Sequence, residues 1–421
     1  MKRHVVIIGA GAVGAISALE ALRRGFRVTI LEPGEPGGEQ AASYGNAGWL
    51  SSHSVIPPAL PGMWRRLPGY LADPLGPLSI RWSYLPQALP WLVHYLLSGW
   101  TAARVEHTAR ALRPLLIDAP ALHRALAEEA GVGALIQHSG LLHVFPTRAD
   151  FAAESLSWEI RRRVGIDWIE LEGAALRDRE PDLDPRYRFG IFVAEAGHCR
   201  NPGAYVAALV AHANAQGASL VSSQATGLRI EQGHLQAVLT AGGEIPCDRA
   251  VIAAGARAKP LAAAAGDAVP LDVERGYHVS IAGTNRGPRT PIMVSDRKLA
   301  VTMTERGLRG AGQVEIAGLA RAPDWRRAEV LRRHLLGLFP DLPRDLPAER
   351  VKTWMGFRPS MPDGLPCIGR ASATPDVIHA FGHGHIGLVS SARTGRVVAQ
   401  LLADVEPEIP LAPFDPRRFG A

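Results

Sequence analysis

The feature that most restricts this chain lies at its start. Val5 to Ile8 is a short β-branched run that ends in Gly9-Ala10-Gly11-Ala12-Val13-Gly14, and the residues that follow, Ala15 to Arg24, have helix-forming composition and stop at Gly25. Arg27 to Leu31 reads as a second buried strand closing on Glu32. Strand, glycine turn, helix and strand make a βαβ unit, which commits the chain to α/β architecture. In that context Gly9 permits the tight turn, Gly11 lets backbone approach a pyrophosphate, and Gly14 lets the helix pack closely on the strand. The unpaired N–H groups and dipole of the helix N-terminus favour the anion. Glu32, 18 positions after Gly14, is placed to accept hydrogen bonds from a ribose and would repel a 2'-phosphate, so NADP is disfavoured.

Which dinucleotide binds is decided further along. A chain of 421 residues exceeds one compact core of roughly 100–200 residues, so two domains are expected. After residue 32 the βαβ pattern lapses. The segment from 57 to 100 is rich in proline and tryptophan, helical patterns follow from Ala102 to Ala130, and strand-like stretches lie at Gly140–Pro146 and Phe189–Glu195. A helix is expected over Pro202–Gln216. Ser219–Ser222 and Arg249–Ala253 look like strands returning to the first sheet, whereas Val269–Ile281 and Pro291–Ile316 suit an antiparallel sheet. Near the end come a buried strand, Val377–Phe381, the turn Gly382-His383-Gly384-His385-Ile386-Gly387, and a helix from Leu388 to Asp404. This late strand, turn and helix suits FAD, whose isoalloxazine needs a second backbone cradle far from the adenosine. The expected fold is therefore α/β: a Rossmann-type FAD-binding domain (1–57, 197–262 and 353–421) with an inserted α+β substrate domain (58–196 and 263–352) built on an antiparallel sheet.

Other classes are disfavoured. Cys199, Cys247 and Cys367 stand far apart with no CxxC spacing, which argues against a disulfide framework or a cysteine-rich zinc site and fits a reducing compartment. No metal-spaced histidine cluster and no Ser-His-Asp set emerges. The net charge of +6 is carried by scattered arginines and only four lysines, so nucleic acid is not an expected partner. The apolar run Leu85–Leu97 contains Pro86 and Pro90 and is shorter than the ~20 residues a bilayer span needs. The basic and apolar start is broken by glycines and Glu20, and it is read as the mature N-terminus.

Three internal segments carry a resemblance. Gly45-Asn46-Ala47-Gly48, Trp354-Met355-Gly356-Phe357-Arg358-Pro359-Ser360-Met361-Pro362-Asp363-Gly364 and Gly382-His383-Gly384 resemble, in order and approximate spacing, the signatures of D-amino-acid dehydrogenases. Glycine oxidase and D-amino-acid oxidase are the wider relatives. With the N-terminal fingerprint, the similarity runs from about Val5 to about Pro410. It implies that Gly9, Gly11, Gly14 and Glu32 hold the ADP half of FAD, that Ser43, Asn46, Ala47 and Gly48 line the passage to the flavin, and that Thr226 presents its backbone to the adenine. Ala254 and Gly255 match a small-residue turn after a sheet strand. Gly382, His383, Gly384 and Gly387 match the turn at the pyrimidine edge of the ring, where the following helix would stabilise anionic reduced flavin. Relatives with covalent flavin carry a cysteine where this chain has Gly356, so the FAD is expected to be noncovalent.

The same resemblance makes Arg358 the residue that pairs with the substrate carboxylate, a bidentate match to guanidinium geometry. Tyr277 either closes over the substrate or is a core tyrosine with a satisfied hydroxyl. His53 follows the flavin-lining loop and is a weaker candidate for substrate contact. The implied activity is dehydrogenation of a D-amino acid by hydride transfer from Cα to flavin N5, giving an imino acid and then a 2-oxo acid and ammonia. Alternatives are a cyclic D-imino acid such as D-proline or cis-4-hydroxy-D-proline, a sarcosine-type secondary amine, or a non-catalytic FAD-binding subunit. The 57–100 segment, with Trp64, Arg65, Arg66, Trp82 and Trp91, suits a membrane interface and a quinone or respiratory acceptor equally as well as a lid or subunit interface. The expected location is cytoplasmic, with peripheral contact to the inner face of the cell membrane left open.

Overall fold

Val5, Val6 and Ile7 expose no surface, and the strand they belong to, His4–Ile8, lies inside a six-stranded sheet. The order is Ser219–Val221, Arg27–Leu31, His4–Ile8, Arg249–Ile252, Val377–Phe381, Cys367–Arg370; every neighbouring pair is parallel except the last. Strands covered on both faces read as continuous apolar runs, which is why these segments are legible as strands. This computed structural model describes residues 2–66, 69 and 73–420. Pro68 and the adjacent positions 67 and 70–72 of the proline-rich excursion lie outside the described residues.

One face of the sheet is covered by Ala12–Arg23, Pro202–Ala215 and Gly387–Leu402, which share a core with the helices Ala102–Leu116 and Ala119–Glu129. Gly395 sits where a Cβ would come 2.6 Å from Ile16 Cγ2, so the first and last long helices are in near-backbone contact. The segment 102–129 falls inside the stretch assigned from sequence to the substrate domain, yet its apolar face is spent on the nucleotide side.

The second sheet runs Val351–Ser360, Asp272–Ile281, Gly307–Ile316, Leu299–Thr304, Ile292–Val294, Leu141–Phe145, Phe189–Val193, Ile169–Glu172. Most pairs are antiparallel, but Ile292–Val294 runs parallel to Leu141–Phe145, and Leu78–Ile80 adds in parallel at the end of Gly307–Ile316. Val351–Ser360 pairs with Asp272–Ile281 residue for residue over its whole length. The boundary drawn at 353 therefore cuts a strand, and the Arg358 segment belongs to the large sheet. The helix Arg326–Leu338, not expected from sequence, packs on this sheet's outer face through Leu331 and Leu335.

His123 shows how the helical layer is joined. It is fully buried between three helices, with Nδ1 2.9 Å from the Tyr205 hydroxyl and Nε2 facing the Val389 carbonyl at 3.4 Å, so Nε2 donates and Nδ1 accepts. Desolvation lowers its pKa to about 4. An unfolded histidine titrates near 6.5. Below that pH the unfolded chain takes up a proton that the folded one refuses, so this contribution is full above 6.5 and is lost as the pH falls toward about 4. Replacing His123→Gln should flatten the pH dependence of unfolding free energy in that window by about 1.4 kcal/mol per pH unit, measured by urea denaturation at a series of pH values.

Candidate active site

The glycine turn has the geometry its spacing predicts. Gly9 takes φ +106°, and a Cβ there would lie 2.6 Å from the Ala253 carbonyl oxygen; a Cβ on Gly14 would overlap the Gly9 carbonyl. Both glycines are required by the protein's own backbone. Gly11 differs: its φ is ordinary and a Cβ would meet only Ser43 Oγ, at 3.6 Å. Ser43 Oγ accepts from the Ala12 N–H at 3.2 Å across the helix start. Glu32 is buried, its Oε2 accepting from the Ala10 N–H at 2.9 Å and its Oε1 from the Gly34 N–H at 3.2 Å. The carboxylate is thereby fixed beside the turn.

These residues open onto a cavity of about 1900 Å³ that runs from the turn to the large sheet. A pocket for one small ligand has roughly 300–1,000 Å³, so there is room for an extended cofactor and a second molecule. Gly9, Gly11, Glu32, Ser43, Asn46, Ala47, Thr226, Ala254, Gly255, His383, Gly384 and Gly387 all line it, as do Arg358, Tyr277 and His53. Gly14, Gly48 and Gly382 do not; the last two are packed against the Cys199 carbonyl and the Met361 side chain. Thr226 lies at a register shift in the strand Ala225–Glu231, which takes its backbone out of the ladder and turns it to the cavity. Asn46 is held from below, where Arg309 donates to its carbonyl at 2.8 Å.

The large sheet forms the floor. Across it run Gly356, Gly276, Ala311 and Ala300; the Trp354 ring covers Gly356, while Ala311 and Ala300 leave the floor low. At one end Arg358 lies flat over Gly276, where a Cβ would overlap the guanidinium carbon. Its Nη1 donates to the Gln313 carbonyl at 3.1 Å, and Glu274, opposite it in register, is the nearest stabilising charge. Desolvation lowers the pKa of this guanidinium, and most of its donors remain unspent. Gln313 takes φ +59°, a conformation a side chain rarely adopts, and its amide is clamped by Arg327 Nη1 at 2.8 Å. That bend aims the carbonyl at Arg358. Sequence carries no signal of it.

The Tyr277 hydroxyl has a partner on each side. The ring reaches the cavity wall, and the hydroxyl donates to Glu315 Oε2 at 2.7 Å and accepts from the Asp324 N–H at 2.9 Å. His53 is buried with Nε2 2.9 Å from His143 Nε2; burial keeps both rings neutral, helped by Arg161 and Arg113 beside His53 and by Arg161 and Lys298 beside His143. His385 lines the cavity near Arg358 with its pKa lowered to about 4, and His383, at about 3, is turned to Thr394. Sequence reading missed His143, Arg161, Gln313, Tyr84 and Asp272, which also line the cavity. Arg161 is hidden in an arginine run, Arg161-Arg162-Arg163, where only helical register tells which one turns inward.

Residues 4–401 match the family model described as FAD dependent oxidoreductase. The chain belongs to this family. As an FAD-dependent oxidoreductase it is 66% identical over 417 residues, 99% of both chains, to a D-amino-acid oxidase of Bradyrhizobium diazoefficiens. It is 30% identical to a D-amino acid dehydrogenase of a Methylobacterium species, again over 99% of both. Among solved structures, glycine oxidase from Geobacillus kaustophilus superposes with a TM-score of 0.73 over 99% of each chain at 23% identity. L-amino acid deaminase from Proteus myxofaciens gives 0.75 over 100% of this chain and 94% of that one at 15% identity. At these identities the likeness shows the fold. FAD fits the residues present: Gly11 leaves open the space a Cβ would fill at the helix start, Glu32 is oriented beside it, and the turn before Gly387–Leu402 brings a second helix N-terminus to the same cavity.

The two kinds of glycine separate experimentally. Gly11→Ala should fold with a melting temperature close to that of wild-type apoprotein yet purify with at least tenfold weaker FAD retention. Gly14→Ala should lower the stability of the apoprotein itself by about 1–3 kcal/mol. Absorbance at the flavin band and thermal denaturation of apo and loaded protein check both.

Proposed function

We propose that this FAD-dependent oxidoreductase dehydrogenates D-amino acids to imino acids, which water converts to 2-oxo acids and ammonia. The observation that carries the reading is Arg358: a desolvated guanidinium that feels the charge of Glu274 but forms no ion pair among the described residues, flat over Gly276 in the cavity that also holds the dinucleotide turn. It binds the substrate carboxylate through two parallel N–H···O bonds. Ala311 and Ala300 keep the adjoining floor low for the rest of the substrate. Bound FAD supplies the two-electron acceptor that takes hydride from Cα. The neutral histidines His383 and His385 do not supply a strong base, so the amine must bind, or become, neutral, and positioning carries most of the catalysis. The names of the relatives support the D configuration. FAD is held noncovalently in this reading, since all three cysteines are buried with thiols pushed up to about 12 and none lines the cavity.

For the electron acceptor we infer a lipid-borne quinone. The helix Leu85–Ser98 buries Ala88, Trp91, Leu92 and Tyr95 but exposes Leu89, Val93 and Leu97 along one stripe, continued by exposed Trp100, Trp64 and Trp82. Gln87 of this helix and Leu319 and Arg321 of a facing loop line the cavity, so the apolar surface borders its rim. Aromatic and basic residues arranged this way suit the lipid headgroup region. Among the described residues no helix is long and apolar enough to cross a membrane.

Mixing purified protein anaerobically with D- and L-amino acids, D-proline, cis-4-hydroxy-D-proline and sarcosine should bleach the flavin with D-amino acids. Silence from all of them removes the assignment. Arg358→Leu should lower kcat/KM for the best substrate by at least a hundredfold while FAD stays bound; unchanged kinetics would take the carboxylate role from Arg358. Flotation with anionic liposomes tests the surface. Wild type should rise with the vesicles and Leu89→Glu/Val93→Glu should stay below, whereas no co-flotation of wild type withdraws the membrane contact.

A further inference from the structure

Among the arginines that line the cavity, desolvation holds two below the ordinary guanidinium pKa. One is Arg358 and the other is Arg161, lowered to about 10. Arg161 comes from the helix Ser155–Arg163, lies 4.4 Å over the Trp158 ring, and donates from Nε to the His53 carbonyl at 3.1 Å. Among the described residues its only other hydrogen bond is a long one, from Nη1 to the Ser157 carbonyl at 3.5 Å. Of five N–H donors, at least three are unspent. Among the described residues no carboxylate pairs with it; Glu154, the acid whose charge it feels, is engaged by Lys298 at 2.7 Å. A desolvated cation without a counter-ion is costly unless something supplies one. The argument that assigns Arg358 to an anionic group of the ligand applies equally to Arg161.

Its surroundings reinforce the point. His53 and His143 meet through their Nε2 atoms at 2.9 Å, and both are neutral, so this contact uses one ring proton. Whichever ring accepts at Nε2 carries its single proton at Nδ1. His53 Nδ1 is buried and has no partner among the described residues. Met293 and Ala300 continue the floor between this end and Ala311. From the strand of Gly276, beneath Arg358, to the strand of His143 the sheet order counts four spacings. At about 4.8 Å each that is roughly 19 Å between backbones, shortened by the side chains reaching in from both ends.

We propose that Arg161, with the His53–His143 pair, forms an anion subsite at the far end of the cavity, and that the enzyme selects D-amino acids whose side chain carries a distal carboxylate. The separation favours an arm longer than that of aspartate. This rests on the D-amino acid reading above, with Arg358 taking the α-carboxylate.

The test is kcat/KM for D-aspartate, D-glutamate, D-2-aminoadipate and D-2-aminopimelate, each against its ω-amide. Wild type should prefer the acid at least tenfold, with the preference rising beyond aspartate. In Arg161→Met that ratio should fall at least tenfold through KM, and Arg161→Lys should restore part of it. Should the variants fail to fold, wild type alone decides: glutarate, adipate and pimelate should perturb the bound-flavin spectrum with Kd at least tenfold below those of the matching monocarboxylates. Equal turnover of acid and amide at every length, a ratio that survives Arg161→Met, or equal Kd for di- and monocarboxylates overturns the subsite. If neutral D-amino acids bleach the flavin without any acidic preference, only the subsite falls. If no D-amino acid of either kind does, both readings fall.

Discussion

The nucleotide half depends on how closely backbone can approach backbone around residues 9–14. The Gly9 carbonyl sits against Gly14, and Gly9 itself against the Ala253 carbonyl at the end of the neighbouring strand. Three chain segments thus meet without side chains between them. That contact sets the height of the first helix over the sheet, and with it the place where its unpaired N–H groups point. Glu32 is held by the Ala10 N–H, so the acid is located by the same turn. Gly395 against Ile16 then sets the last long helix by equally close packing. An error of one methyl group at any of these positions would move both helix ends that face the cavity.

The substrate side is built on the opposite principle. Its floor is open, and polar order comes from charges buried beneath it. Glu315, with no exposed surface, receives Tyr277 at 2.7 Å and Arg81 at 2.5 Å, with Arg275 and Arg327 close by. Arg327 in turn grips Gln313 and the 74–79 segment. Such a network has little to recommend it as a source of stability, since each ion gives up its water. Its structural effect is to hold Gln313 in a conformation it would otherwise leave, and so to fix the carbonyl that orients Arg358.

Much of this was legible in the sequence, and most of what was not shares a physical reason. Val377–Phe381 matches its expected limits, and the first βαβ unit, the returning strands and the helix Pro202–Ala215 lie close to theirs, because buried parallel strands and glycine-bounded helices carry strong local patterns. Gly9 and Gly14 were legible because backbone contact enforces their spacing, whereas the flavin-side candidates came from the family resemblance. The helix Arg326–Leu338 has a local apolar spacing that sequence could have shown, whereas the allegiance of Val351–Ser360 was missed because partner choice in an antiparallel sheet is a long-range matter. Tyr277 was ambiguous for the same reason: its partners, Glu315 and Asp324, are tens of residues away. Arg161, His143 and Gln313 owe their positions to helical register, cross-strand pairing and one bent residue, none of which a single sequence displays.

The order of strands in the nucleotide sheet has a consequence for how the molecule comes into being. His4–Ile8 is made first, yet its outer neighbours are Arg249–Ile252 directly and Val377–Phe381 one step further. At about 5–20 residues per second, the first strand waits on the order of tens of seconds before the chain that completes its sheet has been synthesised. Through that interval an apolar β-branched edge has no lasting partner, and pairings this distant in sequence are the slow ones to form. The cavity exists only once the last helix has docked on the first. Cofactor capture is therefore a late event in the birth of this protein, and a nascent chain that stalls before residue 377 presents an open sheet edge instead of a binding site.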